Sequence, residues 1–400
     1  MSDFEDMRPY HDDEVPEVIA RILDHGDIAR GASYVVPPGW LRGLPGLGVL
    51  ARWWLRRRTR QLRTVSDCQA FIAVHFGRLV DRSITQLTCS GLDQIQPDQA
   101  YLFVSNHRDI VLDSSLLNYL LYNNHMETSR IAVGDNLLRN QLAADMMRLN
   151  KSFVVQRSVT GAKALLKALS RTSAYVRHSL LEEHSSIWIA QREGRAKDGW
   201  DRTDPALVKM LALAHKNEQD PSGLEGLFSH CNVVPVSVSY EVDPCAPLKA
   251  RELSKVADDG HYDKSEDEDV DSIVTGLMGF KGRVHVHIGT PLNAHGDVPA
   301  SAEEAAQELD RQIVNGLRLY PTHLEAAELL QISHAYEGQL PELDASQRAF
   351  RQQLESCSED ERPWLLAQYA NAVKNRLELQ EANTCAEPSS PAAQPRAAVT

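Results

Sequence analysis

From Ala100 onward the chain alternates between short apolar runs and longer stretches in which apolar residues recur every three or four positions. YLFVS (Tyr101 to Ser105) precedes SSLLNYLLY, RIAV (Arg130 to Val133) precedes NLLRNQLAADMMRL, and SFVVQ (Ser152 to Gln156) precedes GAKALLKALSRTSAYVRHSLLEE. SIWIA (Ser186 to Ala190) leads to a helical pattern around ALVKMLALAHK, and VVPVSVSYE (Val233 to Glu241) and RVHVHIG (Arg283 to Gly289) close the series. Short apolar runs fit strands and the three-to-four period fits helices. The alternation therefore predicts an α/β fold, a mixed central sheet covered by helices, to which the last run adds a strand.

Outside this region the pattern changes. Val15, Val18, Ile19, Ile22 and Leu23 fall at helical spacing and predict one amphipathic helix, about Asp13 to Leu23, in an otherwise acidic start. From Gly31 to Ser66 the chain carries seven arginines and no carboxylate, mixed with Trp40, Trp53, Trp54 and several leucines. Indoles at an apolar edge beside guanidinium groups suit an interfacial helix, with rings at headgroup depth and arginines on lipid phosphates. Trp40, Trp53, Trp54, Arg56, Arg57 and Arg58 are the expected contacts with membrane lipids. The same composition would serve a surface helix docked on the main domain or an acidic partner. Beyond Pro299 the pattern is helical, and the last stretch, CAEPSSPAAQPRAAVT, is expected to be disordered. The expected organisation is an acidic segment (1–30), a basic amphipathic helical region (31–90), the α/β domain (91–299), C-terminal helices (300–384) and a tail (385–400). An acidic insert at about 250–275 reads as a solvated surface loop with no metal.

Composition narrows the function. With 400 residues, 42% hydrophobic and 24% charged, the chain is an ordinary globular one, and 22 Gly and 19 Pro without a repeat exclude fibrous or disordered classes. A net charge of −13 argues against a nucleic-acid partner. The six cysteines show no paired spacing, so a reducing compartment is expected. The start lacks a signal-peptide pattern, and no apolar run approaches the ~20 residues that cross a bilayer. The expected location is therefore peripheral, on the cytoplasmic face of a membrane.

The chemistry-bearing residues cluster where strands end. YLFVS runs into Asn106, His107, Arg108, Asp109 and, at the next helix, Asp113. A histidine between a strand and a helix whose first turn carries a carboxylate can act as a base oriented by that carboxylate. The HRD triplet also matches a protein-kinase catalytic loop, but Ser114 stands where that loop needs Asn, and no Gly-rich loop precedes it. SFVVQ ends at Arg157, and SIWIA leads into Arg192, Glu193, Gly194, Arg195 and Lys197. Arginines leaving neighbouring strands on one sheet edge can converge on a phosphate, and Gly194 would let the backbone turn tightly.

Four ordered blocks, SNHRDIVLD, KSFVVQR, IAQREGRAKDG and VVPVSVSYE, resemble those of the glycerol-3-phosphate and lysophosphatidate acyltransferases of glycerolipid synthesis, over about Ala100 to Leu292. The resemblance implies that His107 is the catalytic base and Asp113 its carboxylate partner. It also implies that Arg157 holds a glycerol phosphate, that Glu193 and Gly194 form a second substrate-binding turn, and that Arg195 assists Arg157. Asn106 and Arg108 are further substrate-binding candidates. Two departures are present: five residues rather than four separate His107 from Asp113, leaving Asp109 as an alternative carboxylate, and E-G-R replaces E-G-T-R. The implied reaction moves an acyl group from acyl-CoA or acyl-carrier protein to a hydroxyl of glycerol 3-phosphate or its 1-acyl derivative, with no metal or other cofactor. Alternatives are another lysolipid or hydroxylated lipid acceptor, or a non-enzymatic peripheral lipid-binding protein.

Overall fold

The computed structural model describes residues 4–25, 47–138, 140–265, 268–294, 296, 298–335 and 344–386. Trp40 and the 387–400 tail lie outside them. Seven strands form one sheet: β1 (Ile84–Ser90), β2 (Tyr101–Ser105), β3 (Arg130–Gly134), β4 (Ser152–Val155), β5 (Ile187–Ala190), β6 (Asn232–Tyr240) and β7 (Gly282–Ile288). Their spatial order is β1-β7-β6-β2-β5-β3-β4. Neighbours are parallel except β6 and β7, so β7 and β1 run against the other five. All six strands expected from the apolar runs are present. β1 is an addition, inside a stretch expected to be helical; its sequence ITQLTCS is half polar and gives little apolar signal.

Helices cover both faces. On one, α3 (Val65–Ser83) and α4 (Leu112–Asn123) pack over Phe103, Val236 and Val286 through Val80, Leu116 and Leu117. On the other, α6 (Ala162–Leu181), α7 (Pro205–Ala212), α8 (Leu224–His230) and α11 (Ala302–Gly316) pack over Leu102, Val104 and Ile189 through Tyr175, Val208, Phe228 and Leu309. Each such side chain, removed from water, contributes roughly 1.5–3 kcal/mol before entropy is subtracted.

The acidic start joins this body. Val154 donates its N–H to the Met7 carbonyl at 2.9 Å, and Met7 is buried in the core. Helix α1 (Val15–Asp24) lies against α5 (Gln141–Leu149), where Arg21 and Tyr10 both bind the buried Asp145. Helix α2 (Leu47–Thr59) is tied to α1 by Arg56, which pairs with Asp24, and Val49, Leu50 and Trp53 stay exposed.

The acidic insert corrects the sequence expectation. It is a helix pair, α9 (Ala246–Asp259) and α10 (Glu268–Met278), joined by a short acidic connection. Glu268, Asp269 and Asp271 occupy the first turn of α10, where carboxylates favour the positive end of the helix dipole. The remaining helices, α12 (Pro321–Leu329), α13 (Ala345–Ser356) and α14 (Arg362–Ala386), close on α9 around Phe350, Leu365 and Tyr369. Small residues at the contacts, Ala246, Ala250, Ala326 and Ala370, let these helices approach closely.

Candidate active site

The chain leaves β2 through Asn106 and reaches α4 in a tight loop that presents His107. Asn106 is fully buried; its side-chain carbonyl accepts from Val238 N–H at 2.8 Å and its amide donates to Val238 O at 3.1 Å. It thus continues the β2–β6 pairing one residue past the strand. The structure spends this side chain on the fold, in bonds to the Val238 backbone.

Of the two aspartates, Asp113, buried in the first turn of α4, is the one that hydrogen-bonds His107. Its Oδ2 lies 2.8 Å from His107 Nδ1 and accepts from the N–H groups of Arg108 (2.6 Å) and Asp109 (2.9 Å). Its Oδ1 accepts from the Tyr240 hydroxyl at 2.8 Å. Burial pushes the Asp113 carboxyl up, but His107, the Asp109 N–H and Tyr240 together hold it below the ordinary aspartate value. With its Nδ1 proton donated to Asp113, His107 keeps Nε2 as the basic nitrogen, and the indole of Trp188 stands edge-on to the ring at 5.5 Å.

Asp109 does something else. Its Oδ1 accepts from Val111 N–H (3.0 Å) and Leu112 N–H (2.9 Å), capping the start of α4. Burial and the nearby Asp113 charge raise its carboxyl. Gly276 of α10 is pressed against it: a Cβ there would come within 2.1 Å of Asp109 Oδ2. The one-residue lengthening between His107 and the aspartate thus leaves the pair intact, and the extra residue is absorbed in the capped turn.

Because β2, β5, β3 and β4 are adjacent and parallel, the segments leaving their carboxyl ends share one edge, the usual place for a ligand in such sheets. They enclose a cavity of about 280 Å³. His107 stands on its wall beside Trp188; Ile131, Val133, Leu165, Leu207 and Met210 give it an apolar lining, and Arg157, Arg192 and Glu193 supply charge. Gly134 ends β3 where the Arg157 side chain crosses, since a Cβ would lie 3.1 Å from Arg157 Cδ. Asp135 receives the N–H groups of Arg157 and Ser158, both at 3.3 Å, and shapes that loop. Arg157 Nη1 is 3.7 Å from Glu193, a loose and exposed pair open to exchange for a stronger anion.

The other expected residues are placed differently. Arg108 points away from the cavity, forming an ion pair with the buried Asp201 and donating to Gly199 O, so it too is a structural tie. Arg195 does not line the cavity with Arg157; Arg192 does, braced by Asp198 and the Trp200 carbonyl, both at 3.1 Å. Gly194 has φ +75°, as a tight turn needs, with open space around it.

The loop after β5 is held from both sides. Ala196 N–H donates to the His107 carbonyl at 2.7 Å, and from α14 Asn371 and Asn375 donate to the carbonyls of Asp198 (2.7 Å) and Gly199 (3.3 Å). The C-terminal helix α14 therefore braces the loop after β5, a contact without a sequence motif. Tyr240 was equally hidden: it is the last residue of β6, 127 positions from the aspartate it binds. Among the described residues no three His, Cys, Asp or Glu gather as metal ligands.

Residues 86–239 match the family model described as Acyltransferase. This chain carries an acyltransferase domain. The acyltransferase domain so defined begins within β1 and ends in β6, and so includes His107, Asp113, Arg157, Arg192 and Glu193. Among solved structures, the crystal structure of the 1-acyl-sn-glycerophosphate acyltransferase PlsC from Thermotoga maritima is similar at 14% identity. The match covers 80% of this chain and 94% of that one, at a TM-score of 0.35. No curated protein matches the chain.

Proposed function

We propose that the acyltransferase moves a fatty acyl group from a thioester, acyl-CoA or acyl-carrier protein, to a hydroxyl of glycerol 3-phosphate or 1-acyl-glycerol 3-phosphate. The observation that carries the reading is the His107–Asp113 pair opening onto a cavity with an apolar lining and two arginines on its wall. The lining suits an acyl chain, and the arginines suit a phosphate. His107 Nε2 takes the acceptor hydroxyl proton as the oxygen attacks the thioester carbonyl. The C–S bond then breaks, and the leaving thiolate takes the proton from the imidazolium. Asp113 fixes the tautomer and stabilises that imidazolium, and general-base help of this kind is worth roughly 10² to 10⁴ in rate. Arg157 and Arg192 would hold the phosphate so that the hydroxyl meets Nε2.

The acylated product, and the acceptor when it is 1-acyl-glycerol 3-phosphate, would reside in a bilayer. The exposed Val49, Leu50 and Trp53 on α2, with Arg57 over the Trp53 ring and Arg58 over Trp54, support peripheral contact with an anionic membrane on its cytoplasmic side. Thiol release from acyl-CoA or acyl-carrier protein by the purified chain, with acceptors that do or do not carry phosphate, tests the function. The expected result is transfer to the phosphorylated acceptors only, with Arg157→Ala raising the acceptor KM. Equal transfer to an acceptor without phosphate, indifferent to Arg157, would reject this assignment in favour of another hydroxylated lipid. No transfer to any acceptor would reject enzymatic activity of this type.

A further inference from the structure

The alternating polar positions of three strands line up across the sheet. Thr88 and Ser90 of β1 pair in register with His285 and His287 of β7, which pair with Ser239 and Ser237 of β6. In-register residues two apart share a face, so these six form a polar stripe on the side covered by α11, while Tyr240 and the catalytic aspartate lie on the other side. Above the stripe, between the end of α11 and α14, is a cavity of about 370 Å³. No element of the proposed acyl-transfer site lines it.

Its lining is rich in hydrogen-bond donors. Ser90, His285, His287, Asn315, Arg318 and Arg376 face it, and no carboxylate does. In a chain of net charge −13 this is a local reversal of sign. Arg376 is committed to the carbonyls of Val314 (2.8 Å), Asn315 (3.1 Å) and Leu317 (2.7 Å), which end α11. Arg318 is held at its backbone, donating N–H to Ser239 Oγ at 2.9 Å, while its guanidinium stays exposed with no ion pair among the described residues.

The histidines form a chain. Thr88 Oγ1 lies 2.7 Å from His285 Nδ1, His285 Nε2 lies 2.9 Å from Ser90 Oγ, and Ser90 Oγ lies 2.8 Å from His287 Nδ1. His287 Nε2, the last atom of the chain, has no hydrogen-bond partner among the described residues. Beside it Ser237 is 1% exposed, and its hydroxyl is unpartnered. Gly316 keeps this spot clear: a Cβ there would come within 2.3 Å of His287 Cδ2 and 2.6 Å of Ser237 Oγ. A buried hydroxyl without a partner and an imidazole nitrogen without one, beside a donor-lined cavity, are groups waiting for an acceptor.

We propose that this cavity binds a phosphate monoester group, with Arg318, Asn315 and the His287–Ser90 pair as its ligands. The oxygens of such a group match a guanidinium, an amide and an imidazole N–H, and the volume admits a small substituent. Burial lowers the His285 ring to about 4, helped by Arg318 and His287, and burial also lowers His287. The chain is therefore neutral before the ligand arrives. Arg318 and Arg376 are the permanent charges facing it, and a bound dianion draws a proton onto His287. The chemistry fits a free phosphomonoester and a phosphatidate headgroup alike.

Calorimetric titration of the full chain with inorganic phosphate tests the site. The expected result is saturable binding that takes up protons, survives Arg157→Gln, and weakens at least tenfold in Arg318→Gln, a substitution at an exposed side chain that leaves the core intact. His287→Gln should abolish the proton uptake. Absence of saturable binding in the Arg157→Gln chain, or binding indifferent to Arg318→Gln, would overturn the proposal. Competition by soluble glycerol 3-phosphate assigns the free ester, and competition by phosphatidate vesicles alone assigns the headgroup. Competition by neither excludes both and removes the site's proposed ligand class.

Discussion

Replacing Asp113 by Asn removes a charge with little change of shape. An asparagine with its carbonyl at the Oδ2 position keeps the His107 contact at 2.8 Å and the Arg108 and Asp109 N–H groups at 2.6 and 2.9 Å. Its NH₂ then meets the Tyr240 hydroxyl, which can turn from donor to acceptor. The imidazolium that forms as His107 takes the proton loses its counter-charge. With charge centres about 4 Å apart and an effective dielectric near 20, that attraction is worth about 4 kcal/mol. At about 1.4 kcal/mol per decade, kcat should fall roughly a thousandfold.

Asp109→Asn is the matched control. Asn caps a helix about as well as Asp, so the bonds to Val111 and Leu112 persist and kcat should stay within about tenfold. The measurement is kcat for thiol release at saturating acyl donor and acceptor, with circular dichroism to verify the fold. If Asp109→Asn falls as far as Asp113→Asn, or Asp113→Asn stays within tenfold of wild type, the pairing does not carry catalysis. The same residue predicts a pH effect. Because its partners hold the folded carboxyl below the unfolded value, Asp113 stabilises the fold above about pH 4 and loses that contribution as pH falls through the lowered value. Asp113→Asn should therefore flatten the acid limb of a denaturation series.

Three more outcomes follow from particular contacts. Gly199→Ala combines φ +80° with a Cβ 2.3 Å from the Gln368 carbonyl of α14, and should lower unfolding stability by about 2 kcal/mol or more and loosen the loop after β5; Gly194→Ala, at φ +75° in open space, should cost only about 1 kcal/mol in a urea titration. Asp310 is pushed up to about 6 by burial, against the Thr203 bonds at 2.7 and 2.6 Å. The folded state then holds its proton more tightly, so stability should decline as pH rises from about 4 to 6, by on the order of 3 kcal/mol, and Asp310→Asn should remove that slope. On α2, Leu50→Ser with Trp53→Ser should weaken binding to anionic vesicles at least tenfold. Charge reversal at Arg57 and Arg58 should do the same, more than at Arg56, which already pairs with Asp24. Vesicle binding indifferent to both would reject the membrane role of this helix.

What could be read from the sequence was what is local along the chain. Six strands were legible because each is a short apolar run, and His107 was legible because it stands between such a run and a helix. Features built from distant parts of the chain gave no such signal. Tyr240 acquires its role only when β6 pairs with β2, and α14 reads as an unassigned helix until Asn371 and Asn375 reach the loop after β5. Arg192 and Arg195, three positions apart, are interchangeable as text; the turn at Gly194 decides which one faces the cavity.

The alternation in β6 and β7 had a second meaning that only register exposes. VSVSY and HVHI signal strands because polar and apolar residues alternate, and that much needs no partner. Once β1, β7 and β6 lie side by side, the apolar set becomes the core beneath α4 and the polar set a continuous surface under α11. A strand needs only one apolar face to be held in a sheet, so nothing about stability calls for two histidines and four hydroxyls to align on the other. Burying that face under α11 carries a desolvation cost for each polar group left without a partner, as at Ser237. A hydrophobic or alanine-rich face would have avoided that cost, and it is this excess over what the fold requires that makes the stripe a binding surface and not only a packing one.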